Sequence, residues 1–302
     1  MPDTKRKWWM AVFLSLLSPG LGQIYNGQAK KGIGFYFLLF VPGLAAGLGI
    51  AVGIPFVPLV FFSVAISLLA LLFIYLDAFV TARKQAENYQ YKPYNKWQIY
   101  LLALLVSNLF IGPLGKHLQS SCFMQAFYIP SGAMEETLLV GDYLMANKFV
   151  YGASVNVPGT NIILFRLPGQ RDPEPGDIVI FRSPVDPDRD LIKRCVAVGG
   201  QKVHIVNKEL YIDGERSTDP LSAKHEDPHS YPASINPRDN FGPYMVPEDH
   251  FFMIGDNRDN SLDSRYWRAI PRELIKGKAA FIYWSWDSGN GGRWNRLYQS
   301  IQ

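Results

Sequence analysis

The sequence predicts an N-terminal α-helical transmembrane region followed by a mainly β domain, and three observations carry that prediction. Uncharged apolar stretches run from Ile33 to Ile54, Val57 to Leu76 and Trp97 to Gly115, each close to or above the roughly 20 residues that cross a bilayer core. From Gln125 onward the pattern changes to short runs of strand character bounded by Gly, Pro and Asp. Charge divides the same way: residues 1–117 hold ten Lys/Arg against three Asp/Glu, and residues 118–302 hold twenty against twenty-three. The net charge of +4 therefore belongs to the first half.

The first segment, Trp8 to Tyr25, is apolar but broken by Ser18-Pro19-Gly20 and basic on both flanks. It reads as a re-entrant or interfacial helix. Its outline is also that of a secretory signal peptide, but the spans that follow argue that it is retained. Three such apolar runs among so few charges fit spans better than core helices, and Pro42, Gly43, Gly47 and Gly49 are tolerated inside spanning helices. Lys5, Arg6 and Lys7, then Lys30 and Lys31, then Arg83, Lys84, Lys92 and Lys96 mark the short loops as cytoplasmic. A hairpin from 33 to 76 returns the chain inside, and the span from Trp97 carries everything after Lys116 outside. The expected domains are a membrane domain at 1–96 with two spans, a final anchor at 97–117, and a β-rich domain at 118–302 with a loop insertion at 217–247. A lipid bilayer is the implied partner. Nucleic acid is excluded, because the half placed outside is slightly acidic.

The strands expected in the second half are Tyr143 to Phe149, Asp177 to Phe181, Leu191 to Val198, Lys202 to Val206, Glu209 to Ile212, Phe251 to Ile254 and Ala279 to Trp284. Gly199-Gly200 and Asn207-Lys208 would close hairpins, and Asp213-Gly214 is a further turn signal. Cys122 and Cys195 both fall in the outer half, where a disulfide is permitted; two separate buried thiols is the preferred reading.

Lys193 is the residue with the most chemical promise. Strand alternation in Leu191 to Val198 puts Lys193, Cys195 and Ala197 on one face and Ile192, Arg194 and Val196 on the other. A lysine among Cys and Ala is partly desolvated, which favours its neutral form. To act as a base near neutral pH its pKa must drop from about 10.4 toward 7, a burial cost of about 4 kcal/mol. An exposed edge-strand lysine is the plainer alternative. None of His117, His204, His225, His229 and His250 has the paired helical spacing of a zinc protease. Asp259, Ser261 and Asp263 have the opening spacing of a calcium loop, but Ser264 and Ile270 stand where Gly and Glu are required. No metal or cofactor is expected.

Four blocks in order carry a family resemblance: Tyr128-Ile129-Pro130-Ser131-Gly132-Ala133-Met134 with the loop to Asp142, Gly176 to Phe181, Leu191 to Val198, and Met253 to Trp267. Together they resemble the type I signal peptidases, membrane serine proteases that use a lysine base. The resemblance implies an extracytoplasmic catalytic domain, a Greek-key-like β barrel or sheet assembly, in the bacterial inner membrane. It also implies preprotein signal peptides as substrates, cleaved after Ala-x-Ala-like ends, with the export translocon as a further partner. By resemblance, position 133 attacks the scissile carbonyl and Lys193 is general base, then proton donor. The N–H at 133 and the Ser131 hydroxyl form the oxyanion hole, and Ser261 orients the lysine. Asp263 with Arg265, and Asp256 with Arg258, brace the loop. Phe127, Ile129, Leu138 and Ile192 are the expected pocket walls, with core packing as the alternative for each. An apolar strip at Phe123 to Tyr128 would rest on the membrane unless it is a buried first strand.

Two departures stand out. The family has serine where this chain has Ala133, and glycine where it has Arg268. Without an oxygen at 133, Lys193 has no proton to take and no acyl-enzyme forms, a loss of order 10⁶ in kcat. Ser131, two residues away, is a poor substitute. Three readings follow: an active signal peptidase whose nucleophile was removed, a natural inactive homologue binding signal peptides or export machinery at the membrane, or another serine-lysine protein such as a self-cleaving repressor. Intact Lys193, Ser131, Ser261 and braces favour the first. The unusual N-terminal region fits the second, and the three spans argue against the third.

Overall fold

A computed structural model of the chain describes residues 6–51, 54, 56–85, 89–122, 124–156, 163–217 and 223–301. The chain divides into two compact units, Met1–Ser120 and Ser121–Gln302, the first helical and the second mainly β.

In the first unit, α1 (Trp8–Leu17) and α2 (Leu21–Tyr25) are separated where Ser18-Pro19-Gly20 breaks the run. Gly20 makes this turn at φ 94°, and a Cβ there would sit 2.0 Å from the Gly32 carbonyl oxygen. Next come α3 (Ala29–Leu38), α4 (Phe40–Ala51) and α5 (Phe56–Lys84). Then α6 (Trp97–Val106) passes through a π turn at Ser107–Ile111 into α7 (Gly112–Cys122). Pro113 lacks the N–H that the helix would use there, which accounts for the widened turn. Among the described residues, three stretches are long and apolar enough to cross a membrane: Ala29–Gly49, Pro58–Lys84 and Trp97–His117. The second outlasts the expected Val57–Leu76, because Asp77 is tolerated inside the helix by pairing with Lys31 at 2.5 Å.

Polar side chains after Pro19 latch these helices together. Gln23 Nε2 donates to the Ile74 carbonyl (2.8 Å) and to Asp77 (3.2 Å), and Asn26 Nδ2 donates to the Ala78 carbonyl (2.8 Å). Ala11, Ala78 and Ala82 let α1 and α5 approach closely.

The second unit is built on an eight-stranded sheet. Its path runs β1 (Met124–Tyr128), β2 (Asp142–Asn147), β13 (Ile275–Asp287), β5 (Ile178–Arg182), β6 (Asp190–Val198), β11 (His250–Ile254) and β12 (Ile270–Pro271), with β14 (Gly291–Gly292) on β13. A four-stranded sheet orders β10 (Phe241–Met245), β7 (Lys202–Val206), β8 (Glu209–Ile212) and β9 (Glu215–Arg216). β3 (Ser154–Asn156) pairs β4 (Ile163–Arg166). The continuous apolar run of β5 is explained by burial on both faces: Ile178 and Ile180 join one core with Ile129 and Leu144, while Val179 and Phe181 join another with Met253 and Ile270. A third core packs Val196, Ala197 and Phe252 against Val203, Leu210 and Phe241 of the smaller sheet.

Several sequence expectations change here. Asn207-Lys208, both at positive φ (48° and 73°), closes the β7–β8 hairpin as expected. Gly199-Gly200 does not close a hairpin: β6 and β7 lie in different sheets, and these glycines turn the corner between them. Gly200 has φ 83°, and a Cβ on Gly199 would stand 3.0 Å from the Pro247 carbonyl oxygen. The expected loop 217–247 contains β10, hidden from the sequence by Gly242-Pro243, which sits at a register shift on the sheet edge. β1 is a partly exposed edge strand rather than a buried one; Phe123 lies outside the described residues. Cys195 is a free thiol whose burial pushes its pKa up to about 12; the side chain of Cys122 lies outside those described.

Candidate active site

The expected alternation of β6 holds only in part. Lys193 stands opposite Val179 of β5 and Cys195 lies on the same side. Beyond that, Phe252 pairs with Ala197 but Met253 pairs with Cys195, so Val196 is an extra, bulged residue. Ala197 thereby leaves the face of Cys195 and joins the core of the smaller sheet. β11 pairs only Arg194–Val198, so Asp190–Lys193 have β5 on one side and no strand on the other among the described residues.

Lys193 is 4% exposed and forms no ion pair among the described residues. Burial lowers its amine from 10.5 to about 8, against the pull of Asp263 and with help from Arg265. The exposed edge-strand alternative is thereby excluded.

Gly255, directly after β11, is the point on which the other groups converge. A Cβ there would lie 2.2 Å from Ser261 Oγ and 2.5 Å from the Ala133 carbonyl oxygen. Its N–H donates to Asp263 Oδ2 at 3.1 Å. Asp263 also caps α8 (Ser264–Trp267) by accepting from the Arg265 N–H, and takes Arg265 Nε and Nη2, each at 2.8 Å. Burial opposes ionisation of Asp263, and the Arg265 guanidinium overcomes it, holding the carboxyl below the ordinary range. The expected Asp263–Arg265 brace is present.

At the other expected brace, Asp256 has a further partner. Asp256 takes paired hydrogen bonds from Arg194, with Nε at 2.8 Å and Nη2 at 2.7 Å. Arg194 leaves β6 on the side opposite Lys193, which brings it to Asp256; Arg258 is buried nearby and its carbonyl accepts from Arg265. Thr137 also donates its hydroxyl to Asp256. The loop from Ile129 to Asp142 is thus anchored through Asp256 to the strand that carries Lys193.

Ala133 sits in a single 3-10 turn, Gly132–Met134, and its carbonyl accepts from the Asn257 N–H at 3.2 Å. Ser131, just before the turn, is exposed and extended (φ −137°, ψ 155°). Ser261 Oγ is buried against Gly255 on the side of the Asp263 carboxylate, and among the described residues it makes no hydrogen bond to Lys193. The four expected pocket walls do meet: Ile129 and Leu138 are fully buried in one core, and Phe127 and Ile192 pack against it half-exposed. For Leu138, with no exposed surface, core packing is the better description.

Arg194, Gly255 and Asn257 were not singled out by the sequence reading. An arginine inside an apolar strand was the available signal, since a buried guanidinium requires a partner. Arg268 has φ 73° and ψ −170°, a region that strongly favours glycine. Its guanidinium stacks over Phe241 and Tyr244, at 5.1 and 5.4 Å.

An aromatic row crosses the edge of the sheet. Tyr128, Tyr143 and Trp284 are neighbours on three successive strands, and Trp284 stacks with exposed Trp286 at 6.4 Å.

Among known proteins, residues 98–284 match the family model described as signal peptidase, peptidase S26. The chain is 35% identical over 196 residues to the signal peptidase I of Pseudomonas aeruginosa, covering 55% of this chain and 66% of that one. It is 35% identical over 199 residues to that of Pseudomonas fluorescens, with the same coverage. With the signal peptidase I of Aquifex aeolicus it shares 34% identity over 211 residues, covering 53% of this chain and 76% of that one. The chain thus spans just under two thirds of the two Pseudomonas relatives.

Proposed function

Since the chain belongs to the signal peptidase family, peptidase S26, we propose that it is the membrane-anchored scaffold of a type I signal peptidase, a serine-lysine endopeptidase acting on the signal peptides of exported preproteins. The observation that carries this reading is Lys193: buried, without an ion pair among the described residues, and with a pKa of about 8. At neutral pH roughly one such amine in ten is uncharged, against well under one in a thousand for a free lysine.

With a serine at 133, the neutral Nζ of Lys193 takes the hydroxyl proton as Oγ attacks the scissile carbonyl. The proton then passes to the leaving amine, and water, activated by the same lysine, releases the acyl group. The N–H at 133 and the Ser131 hydroxyl stabilise the developing oxyanion, a kind of contact worth about 3 to 4 kcal/mol per donor. The unpaired edge of β6 at Asp190–Lys193 supports an extended substrate added as a strand, its small apolar side chains directed toward Phe127 and Ile192. As the chain stands, Ala133 supplies no oxygen, and the scaffold is catalytically silent.

Three apolar spans support a multi-pass anchor in the bacterial inner membrane. The cations clustered around residues 5–7, 30–31 and 83–96 support a topology with those loops inside and the β unit outside. The aromatic row from Tyr128 to Trp286 suits the interfacial zone of a lipid bilayer. Delivery of substrates at that surface makes the export translocon a natural neighbour.

A cleavage assay with the full chain in liposomes and a preprotein ending in Ala-x-Ala tests the reading. The unmodified chain is expected to leave the preprotein intact, Ala133→Ser to cleave it, and addition of Lys193→Met to abolish that cleavage. No cleavage by the restored serine form sinks the protease reading. If that form nonetheless binds the signal peptide, the alternative of an inactive binding module takes its place.

A further inference from the structure

The insertion before β10 reaches back to the turn that carries position 133. Lys224 N–H donates to the Asp256 carbonyl at 2.7 Å, and the Arg258 N–H donates to the Lys224 carbonyl at 2.9 Å. These two bonds make a parallel bridge between Lys224 and Asn257. Asn257 in turn grips the turn twice, with its N–H on the Ala133 carbonyl at 3.2 Å and its Nδ2 on Glu135 Oε2 at 3.2 Å. The Lys224 ammonium meets the same Glu135 oxygen at 3.4 Å, Glu136 at 3.6 Å and Glu226 at 2.7 Å. One lysine therefore joins the insertion, the Asp256–Arg258 segment and the two residues that follow the turn.

The turn needs such support. Glu136 lies at φ 80°, a left-handed conformation that a residue with a Cβ keeps only where its surroundings hold it. The turn itself is a single round of 3-10 helix, with Gly132 at its start, and has little rigidity of its own.

We infer that Lys224 is a positioning residue for the nucleophile turn, its backbone splinting Asn257 and its ammonium holding Glu135 and Glu136. This rests on the proposed protease reading for its consequence, though not for its geometry. Each ion pair is half-exposed and contributes little to stability alone. What the strap controls is placement, where a displacement of about 1 Å at a reacting atom can cost roughly 100-fold in rate.

Two measurements test it. In the unmodified chain, Lys224→Ala is expected to speed amide exchange at Asn257 and across 132–137 about fivefold or more, with the rest of the sheet unchanged. Lys224→Arg should restore the slow exchange. In the Ala133→Ser form, Lys224→Ala is expected to lower kcat about tenfold with KM and the pH midpoint unchanged, and Lys224→Arg to recover it. Unaltered exchange overturns the inference whether or not the protein cleaves anything. Altered exchange with undiminished kcat also overturns it, because the strap then holds the turn without positioning the nucleophile. Absence of cleavage by the serine form itself counts against the protease reading alone, and exchange still decides the strap.

Discussion

The two units of this chain bury opposite things. In the first, Phe61 is 72% and Phe110 67% exposed, while Gln23 and Ser15 have no exposed surface. In the second, Leu144, Phe181 and Phe252 are fully buried, and buried charges are held in pairs such as Arg194–Asp256, Arg265–Asp263 and Arg296–Asp142. An apolar exterior is stable only against lipid, so the first unit is folded for a bilayer and the second for water. The polar groups inside also do different work. Gln23 and Asn26 bond carbonyls of α5 and fasten helices together. Lys193 forms no ion pair among the described residues, and its burial has a cost that the proposed chemistry would explain.

That contrast predicts effects of different sign. The largest is expected at Gly255, where any side chain must displace Ser261 or the Ala133 carbonyl. Gly255→Ala in the Ala133→Ser form should lower kcat/KM by about 100-fold or more, read from preprotein cleavage. Next comes Asp256→Ala, which strands the Arg194 guanidinium inside the protein. A loss of about 3 to 5 kcal/mol in denaturant unfolding is expected, with an unchanged dependence on denaturant concentration.

Lys193→Met should go the other way. The folded-state pKa, about 8, lies below the ordinary 10.5, so between these values the unfolded chain binds more protons and stability rises with pH. The cost of the buried ammonium is therefore full below pH 8 and gone above 10.5. Lys193→Met is expected to stabilise by about 3 kcal/mol at pH 7 and by little above pH 10.5, as thermal unfolding across pH would show. Cleavage by the serine form should rise with pH to half its maximum near 8. The smallest effect belongs to the first unit: Gln23→Leu should destabilise its helices by about 1 kcal/mol, measured by unfolding in mixed detergent. A stabilising Gln23→Leu, or a destabilising Lys193→Met, would erase the distinction between the units.

Periodicity and length made much of this legible in advance. The three spans, the break at Ser18-Pro19-Gly20 and the strands from β5 to β8 follow from apolar runs and turn residues that act locally. What escaped was non-local. Arg194 meets Asp256 because two strands meet there, which spacing along one strand does not reveal. Gly199-Gly200 looks like a hairpin turn from its residues, and only the partner sheets decide that it is a corner. The importance of Gly255 comes from what crowds it, namely a carbonyl about 120 residues earlier in the chain. The roles at 133 and 193 came through family resemblance; the burial of Lys193 could be anticipated from alternation with Cys195.

The extra residue at Val196 has a consequence for how the chain tolerates change. Upstream of it, β6 pairs with β5 through Arg194 and with β11 at Arg194 and Cys195; downstream, it pairs with β11 alone. A gained or lost residue beyond the bulge can be absorbed there, leaving the phase of Asp190–Lys193 untouched. The same change between Asp190 and Lys193 would turn the amine to the opposite face. The bulge acts as an insulator, letting the smaller sheet and its insertion vary in length while the lysine keeps its place.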